Sequence, residues 1–306
     1  MAPLTIPLND GTSIPWLGFG SGTAHYQKDA SGTLTTALAH GIHHLDTAQL
    51  YGNEDSLAAA IAASGVPRES LYITTKLWAL PTGKSVRDTL TVSLAKIGVS
   101  YVDLFLVHSP YLYGGADRLR EVWREVEDLR AAGLARSIGV SNFDVQNFEE
   151  IIPTARIVPA VNQIEYHPYV FKVNIANLEY MRAHNIVPAS YGCFAPLTHA
   201  KDGPVDPVLA AAATRLGKDT GKQVSLGQVL HLWLRARGIV AITTSTKETR
   251  IKEYVATAEL PDLTEDELKA IDEAGSQMHH QVFAEFLNPE GVRKLLALQS
   301  LPPPPQ

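Results

Sequence analysis

Eight short apolar runs, rich in β-branched residues, alternate with helical patterns along most of this 306-residue chain. The runs are continuously apolar, which is typical of parallel strands that are buried on both faces. The predicted strands are Trp16–Gly20, Ile42–Asp46, Leu71–Lys76, Val102–His108, Ser137–Ser141, Ala160–Ile164, Ile186–Tyr191 and Ile239–Thr243. Eight strand–helix units in succession predict an α/β fold of the TIM type, a (β/α)₈ barrel.

The helical patterns carry start and stop signals of their own. Predicted helices cover residues 28–40, 54–64, 85–97, 116–132, 144–152, 172–184, 208–236 in two pieces, and 247–256. Asp144 is placed to cap one helix, and Gly133 is placed to end another. Thr264 and Glu267 form a capping box, which predicts one further helix after the eight units.

We predict a single domain over residues 1–306. Asn9-Asp10-Gly11 is a strong turn signal and predicts a hairpin over residues 4–15. The barrel and the helix that follows it should occupy residues 16–275. Residues 276–306 should form a C-terminal loop near the substrate and a tail, and the tail ends in the extended run Pro302–Gln306.

Charge and composition exclude several classes of protein. The net charge is −6 with both signs interspersed, so no basic surface for nucleic acid is expected. No apolar run approaches the roughly 18 residues of a membrane span, and the first residues do not read as a signal peptide. The single cysteine, Cys193, excludes an intrachain disulfide and favours a reducing compartment. We therefore expect a cytoplasmic protein, and we expect it to be a monomer.

Four side chains of different chemistry follow or end predicted strands. Asp46, Lys76 and His108 each end a strand, and Tyr51 lies in the loop five residues after Asp46. A charged group at the end of a buried strand needs a partner. One polar residue at a strand end is ordinary, but an acid, an amine, an imidazole and a phenol at matching positions favour a shared active site at the carboxyl end of the barrel.

These four groups could deliver a proton to a carbonyl oxygen. A tyrosine is a weak acid with an ordinary pKa of roughly 10, and a nearby ammonium group lowers that pKa by favouring the phenolate. Asp46 would then hold Lys76 in its charged form, Lys76 would lower the pKa of Tyr51, and Tyr51 would be the general acid. His108 would orient the carbonyl and help to polarise its oxygen.

At these residues the chain resembles the aldo-keto reductases, whose catalytic tetrad is carried here by Asp46, Tyr51, Lys76 and His108. The resemblance covers residues 4–275. None of the four side chains is a source of electrons, so a reduction needs a hydride cofactor. The resemblance implies NADPH as that cofactor and a small-molecule carbonyl compound as the substrate.

The resemblance also assigns residues to the cofactor. They are Gly22, Thr23, Asp46, Ser141, Asn142, Gln163, Tyr191, Ser245, Thr246, Lys247 and Arg250. Ser141, Asn142 and Gln163 suit the nicotinamide amide, which needs both donors and acceptors. Tyr191 matches the aromatic residue on which the nicotinamide ring stacks, and Phe194 is an alternative. No G-x-G-x-x-G follows a first strand, so a Rossmann site is not supported.

The segment that should meet the cofactor phosphate departs from the common family pattern. Ser245 and Arg250 keep their family spacing, but Thr244 stands where lysine is usual, and Lys247 is a possible substitute for it. The segment also opens a helix, whose amino-terminal amides favour an anion. Arg250 should pair with the 2′-phosphate by planar hydrogen bonding.

Three short segments resemble the fungal branch that contains α-keto amide reductases and conjugated polyketone (ketopantoyl lactone) reductases. They are residues 20–23, 191–197 and the variant Thr243-Thr244-Ser245. The substrate contacts that the resemblance implies are His25, Tyr26, Trp78, Ser109 and Tyr111. Ser109 replaces an aromatic residue that often follows the catalytic histidine, so a roomier and more polar pocket is expected there.

Several other features favour structural roles. His43, His44 and His167 are interpreted as hydrogen-bonded structural histidines. The pair His279-His280 lacks further ligands at a suitable spacing, so no metal site is predicted.

Two alternative functions would use the same barrel. One is a cofactor-binding regulatory protein with little turnover. The other is a lyase that forms a Schiff base on Lys76.

Overall fold

The structure is a computed structural model that describes residues 4–299, and within them eight parallel strands close into the predicted barrel. Each barrel strand pairs in parallel with the next, and the last pairs back onto the first. In chain order the strands are β1 Thr5–Pro7, β2 Ser13–Pro15, β3 Leu17–Gly20, β4 His44–Asp46, β5 Tyr72–Leu77, β6 Val102–Val107, β7 Ala135–Ser141, β8 Val161–Glu165, β9 Val187–Tyr191 and β10 Val240–Thr243. Strands β3 to β10 form the barrel, and each lies within about two residues of its predicted bounds.

The helices surround the barrel as predicted. They are α1 Ser31–Ala39, α2 Glu54–Ser64, α3 Val86–Ile97, α4 Ala116–Ala131, α5 Val145–Ile151, α6 Ile175–Ala183, α7 Ala195–Thr198, α8 Val205–Thr220, α9 Leu226–Arg235, α10 Glu248–Ala256, α11 Glu265–Gly275 and α12 Pro289–Gln299. The predicted caps are confirmed, because Asp144 and Thr264 both form capping boxes. No helix in the described part of the chain is long and apolar enough to cross a membrane.

The predicted hairpin is present and closes one end of the barrel. Strands β1 and β2 pair antiparallel with Ile6 opposite Ile14. Ile14 is fully buried, and together with Leu8 it packs into a cluster of barrel side chains that includes Leu104 and Val240. Full burial of such a side chain is worth about 1.5–3 kcal/mol, so the hairpin contributes to the core. Because the hairpin covers this end, the active site is expected at the opposite, carboxyl-terminal end of the strands.

The chain after α11 crosses that opposite end. A short 3₁₀ turn, Ala284–Leu287, leads into α12. Val292 of α12 is fully buried and packs with Ala48, Leu50 and Trp78, all of which follow barrel strands. The predicted loop near the substrate is therefore anchored by an amphipathic helix. The proline run Pro302–Gln306 lies outside the described residues.

Candidate active site

The structure brings the side chains of the predicted tetrad together at the carboxyl ends of β4, β5 and β6. These three strands are neighbours in the barrel, so the residues at their ends are close in space. Lys76 Nζ donates a hydrogen bond to Asp46 Oδ1 at 2.5 Å and one to Tyr51 Oη at 3.4 Å. Lys76 and Asp46 are both buried, with 0% and 2% of their surface exposed. The structure thus places a buried ion pair directly beside the Tyr51 phenol.

The buried charges are fully hydrogen-bonded, as groups taken out of water must be. The remaining carboxylate oxygen of Asp46 accepts a hydrogen bond from Gln163 Nε2 at 2.8 Å. Lys76 Nζ also donates to the Thr47 carbonyl at 3.0 Å. Burial alone would lower the pKa of Lys76, but Asp46 and Tyr51 outweigh it and the pKa is raised. Lys76 is therefore an ammonium group at neutral pH.

Tyr51 differs from the prediction in one respect. Burial raises the pKa of the Tyr51 phenol, and the opposing effect of Lys76 does not cancel that increase. Lys76 does act to lower this pKa, as predicted, but burial is the larger effect and the pKa is raised on balance, because the sequence shows the neighbouring charge but not the extent of burial. The phenol stays protonated at neutral pH, which is the form that can donate a proton.

His108 stands over the same centre as a neutral imidazole. Its ring centroid lies 5.7 Å from that of Tyr51 and 5.2 Å from that of Trp78, both edge to face. Burial, helped by the charge of Lys76, holds the pKa of His108 well below its usual range. A neutral ring can orient a carbonyl oxygen through a hydrogen bond, but it is a poor proton donor.

These two pKa directions predict a flat pH profile for carbonyl reduction. As the predicted proton donor, Tyr51 would act as the protonated phenol, so its contribution should be lost only when pH rises above its raised pKa. His108 stays neutral down to pH values well below its ordinary 6.5. We expect kcat/KM to vary little between about pH 6 and about pH 9. Initial rates at saturating cofactor test this, and a step near pH 6.5 would show that His108 titrates in the working range.

The residues predicted for the nicotinamide form one hydrogen-bonded group beside the tetrad. Asn142, at a left-handed φ of +63° that asparagine tolerates, donates to the His108 carbonyl at 2.9 Å. Tyr191 Oη donates to Asn142 Oδ1 at 2.7 Å, and Ser141 Oγ donates to the Gln163 carbonyl at 2.7 Å. The group thus combines amides, a hydroxyl and an aromatic ring, a set that suits a nicotinamide.

The predicted phosphate end lies after β10. Ser245 Oγ accepts a hydrogen bond from the backbone N–H of Lys247, the residue before α10, at 3.0 Å. Arg250 and Thr246 are exposed, and no carboxylate within residues 4–299 pairs with Arg250. The buried hydroxyl oxygen of Thr244 has no partner among the described residues. An unsatisfied hydroxyl, an unpaired arginine and a helix amino terminus suit a phosphorylated cofactor.

The loop after β3 is placed partly as predicted. A Cβ at Gly22 would come within 2.9 Å of the Tyr51 ring, so this glycine allows Tyr51 to lie across the loop. Thr23 follows at a left-handed φ of +46° and is exposed. Tyr26 lies edge to face with Tyr51 at 6.4 Å. Asn53, which was not predicted, organises the loop by donating hydrogen bonds to three of its carbonyls.

His25 does not join the predicted substrate cluster. Its Nε2 lies 3.1 Å from Thr33 Oγ1. Burial lowers the pKa of His25, and a hydrogen bond to the backbone of Ser245 opposes that shift. The structure therefore places this histidine beside the proposed phosphate end. The sequence could not separate the two ends, because both are reached from the same loop.

Trp78 and Tyr111 pack near Tyr51, but Ser109 does not open the pocket. Trp78 and Tyr111 belong to the same apolar cluster as Tyr51. Ser109 is fully buried and donates a hydrogen bond from Oγ to the Phe286 carbonyl at 3.2 Å. The expected roomier and more polar pocket is therefore wrong for this structure, since Phe286 fills the space beside Ser109.

The other histidines and the lone cysteine have structural surroundings. His44 Nε2 lies 3.0 Å from Thr74 Oγ1, and His44 Nδ1 lies 3.3 Å from the Pro15 carbonyl oxygen. Burial lowers the pKa of His44 to about 4. Cys193 is buried, and burial raises the pKa of its thiol. In residues 4–299 no three His, Cys, Asp or Glu side chains converge in a way that could hold a metal ion.

Three residues outside the tetrad, which the sequence did not predict, also take part in the site. Phe286 stacks on His108 with the ring centroids 5.5 Å apart, and Phe283 meets Tyr191 edge to face at 5.4 Å. Glu165, the last residue of β8, accepts hydrogen bonds from the backbone N–H groups of Val282 and Phe283. The one available signal was Glu165 itself, a carboxylate that ends a buried strand.

Comparison with known proteins identifies the kind of molecule that shares this arrangement. The model of the Aldo/keto reductase family matches residues 16–276. An NAD/NADP-dependent indole-3-acetaldehyde reductase of Schizosaccharomyces pombe is 34% identical over 91% of this chain and 98% of that protein. An NADPH-dependent alpha-keto amide reductase of Saccharomyces cerevisiae is 30% identical over 92% of this chain and 93% of that protein. Both of these relatives are fungal.

Solved structures agree with the sequence relatives. A Bombyx mori aldo-keto reductase in complex with NADP superposes with a TM-score of 0.79 at 30% identity, covering 93% of this chain and 97% of that one. An aldo/keto reductase from Brucella melitensis superposes with a TM-score of 0.76 at 32% identity, covering 89% of this chain and all of that one. The likeness therefore extends over the whole barrel.

Proposed function

The chain belongs to the aldo/keto reductase family, and from this premise we propose that it reduces the carbonyl group of a ketone or an aldehyde with NADPH. It is an oxidoreductase. The observation that carries the proposal is the buried Asp46–Lys76 ion pair with the protonated Tyr51 phenol at 3.4 Å from the ammonium. A steady-state assay of NADPH oxidation with activated carbonyl compounds tests it.

NADPH supplies a hydride to the carbonyl carbon when it is bound. The carbonyl oxygen then takes a proton, and Tyr51 is the group placed to donate it. The phenolate left behind faces the Lys76 ammonium, whose charge stabilises it in a site largely closed to water. Asp46 holds that ammonium in place, and a proton from solvent restores the phenol. The reaction thus adds one hydride and one proton to one carbonyl group.

The same contacts argue against a lyase that uses Lys76 as a nucleophile. A Schiff base requires a neutral amine. The Asp46 carboxylate 2.5 Å away and the raised pKa of Lys76 keep this amine protonated. Borohydride trapping with a carbonyl compound should therefore leave the chain unlabelled. A cofactor-binding regulatory protein is the remaining alternative, and turnover in the reductase assay separates it from an enzyme.

Arg250 supports a preference for NADPH over NADH. It is exposed on the first turns of α10, unpaired by any described carboxylate, next to the helix amino terminus. A guanidinium suits a phosphate because two of its N–H groups can bind two oxygens at once. Thr244 stands in place of the usual lysine, so Arg250 should carry most of the discrimination, with Lys247 as a lesser contributor.

Replacing Arg250 with alanine should weaken NADPH binding by about 2 kcal/mol, which is the scale of lost charge-assisted hydrogen bonds and corresponds to roughly 30-fold in Kd. NADH binding should hardly change, because NADH has no 2′-phosphate. Fluorescence titration with both cofactors measures this. Lys252→Ala is the matched control, since it removes the same charge from the same helix at a residue paired with Glu248. Equal weakening of both cofactors in Arg250→Ala would contradict the assignment.

The substrates we propose are activated carbonyls, namely α-dicarbonyl compounds, α-keto amides or ketolactones. Support comes from the three segments that resemble the fungal branch and from the yeast relative described as an alpha-keto amide reductase. Trp78 and Tyr111 add aromatic surface beside the tetrad. A panel of α-keto amides, ketolactones, diketones and simple aldehydes, each with NADPH and with NADH, ranks the substrates and the cofactors in one experiment.

A further inference from the structure

Residues 281–296, which we term the C-terminal segment, lie across the tetrad. Phe286 stacks on His108 with an interplanar angle of 11°. Phe283 reaches Tyr191 and lies 3.1 Å from the position that a Cβ of Gly192 would occupy. Aromatic side chains of the segment therefore contact both the proposed catalytic histidine and the proposed nicotinamide platform.

The segment is attached to the barrel at two kinds of contact. One is apolar, through Val292 of α12, which is fully buried against residues that follow β4 and β5. The other is polar and involves Glu165 at the end of β8. Glu165 Oε1 accepts the backbone N–H of Val282 at 2.7 Å, and Oε2 accepts that of Phe283 at 2.9 Å. The two bonds hold the backbone at Val282 and at Phe283, which is itself one of the aromatic residues that meet the site.

Glu165 is built to remain a charged acceptor. Its side chain is 1% exposed, and Oε1 also accepts a hydrogen bond from His167 Nε2 at 3.0 Å. Burial by itself would raise the pKa of this carboxyl, but the bonds from His167, Val282 and Phe283 outweigh it and the pKa is lowered. A buried carboxylate with three donors is costly to assemble, and the reaction at Tyr51 makes no use of it.

We propose that Glu165 is a positioning residue, which holds the C-terminal segment on the barrel mouth and so sets the aromatic wall that Phe286 and Phe283 present to the substrate. The proposal rests on the proposed reductase function for its effect on substrates. Its effect on the segment itself is independent of catalysis. We call the two hydrogen bonds from the Val282 and Phe283 backbone to Glu165 the clamp. While the clamp is intact, the Phe286 ring stays on His108 and limits the size of the carbonyl compound that can reach Tyr51.

Glu165→Gln tests the clamp with little change in shape. A carboxylate accepts hydrogen bonds at both oxygens, whereas an amide presents one acceptor and one NH₂ group. Whichever way the amide is turned, one of the two backbone N–H groups, of Val282 or of Phe283, loses its acceptor. Hydrogen exchange should therefore speed up at one or both of these amides by at least about tenfold, while the barrel strands stay protected.

Selectivity provides the second measurement. A looser wall should admit larger compounds, so the ratio of kcat/KM for a small aldehyde to that for a bulky ketolactone should fall by about tenfold in Glu165→Gln. The Kd for NADPH should stay within about twofold, because the residues that we assign to the cofactor are unchanged. Glu285→Gln is the matched control, since it removes the same charge from a residue in the segment that makes no side-chain bond among the described residues.

The outcomes separate cleanly. Unchanged exchange at Val282 and Phe283 in Glu165→Gln would overturn the proposal, as would an equal change in Glu285→Gln. Glu165→Asp keeps the buried charge and replaces Glu165→Gln if the latter does not fold; its shorter side chain should also release the two amides. If no carbonyl compound is turned over by the unaltered protein, the proposed function fails, and hydrogen exchange still decides whether Glu165 holds the segment.

Discussion

Replacing Tyr51 with phenylalanine should lower kcat by at least about a hundredfold, because general acid catalysis is typically worth 10²–10⁴ in rate. The substitution removes one oxygen and keeps the ring, so the contacts of Tyr51 with Tyr26 and His108 should persist. The fold and the affinity for NADPH should therefore be retained. Steady-state rates with an activated ketone, and NADPH quenching of protein fluorescence, measure the two effects separately.

The matched control for Tyr51→Phe is His108→Gln, measured in the same assays. His108 is neutral because burial and Lys76 hold its pKa well below the usual range, so it should contribute to orientation more than to proton donation. Its loss should raise KM as well as lower kcat. Near-normal turnover in Tyr51→Phe together with an inactive His108→Gln would assign the acid to the histidine.

Replacing Lys76 with methionine should affect both stability and catalysis. The substitution leaves the Asp46 carboxylate, 2% exposed, without its ammonium partner. Removing one member of a buried ion pair costs about 3–5 kcal/mol of unfolding free energy. For a chain of this size, that corresponds to a fall in Tm of roughly 5–8 °C. The kcat should fall by at least about a hundredfold as well, because the Tyr51 phenolate loses the charge that stabilises it.

The double variant Lys76→Met with Asp46→Asn separates the two effects. It removes both charges, so no unpaired carboxylate remains and much of the lost stability should return. The amide of asparagine can still bond Gln163, whose Nε2 now donates to Asp46. The activity should stay low, because no ammonium faces Tyr51. Thermal unfolding and kcat, measured on both variants, give the comparison. Full activity in the double variant would show that Lys76 does not assist proton transfer.

The barrel could be predicted because its signals are local. A strand buried on both faces must be apolar along its length, so runs such as Val102–Val107 show in the sequence directly. Caps are equally local, because Asp144 and Thr264 bond to residues three positions away. The grouping of the tetrad could also be predicted from the sequence. Three of its members follow or end neighbouring strands, and the carboxyl ends of parallel strands in a barrel meet on one face.

Three features depended on the tertiary structure. The net direction of the Tyr51 pKa is set by burial, which comes from residues distant in the chain, while the sequence showed only the neighbouring charge of Lys76. The position of His25 beside Ser245 depends on two loops more than 200 residues apart. The space beside Ser109 is filled by Phe286, 177 residues later in the chain. In each case the deciding contact is long-range.

The sequence by itself determined the barrel, the family, and the four groups gathered at its carboxyl end. Periodicity and strand-end chemistry are properties of a few adjacent residues, and any chain with this pattern must bury the same faces. Only the tertiary structure decided how the C-terminal segment closes over those groups. Its course depends on Glu165 accepting two backbone N–H groups that carry no sequence signal, since every residue except proline has one.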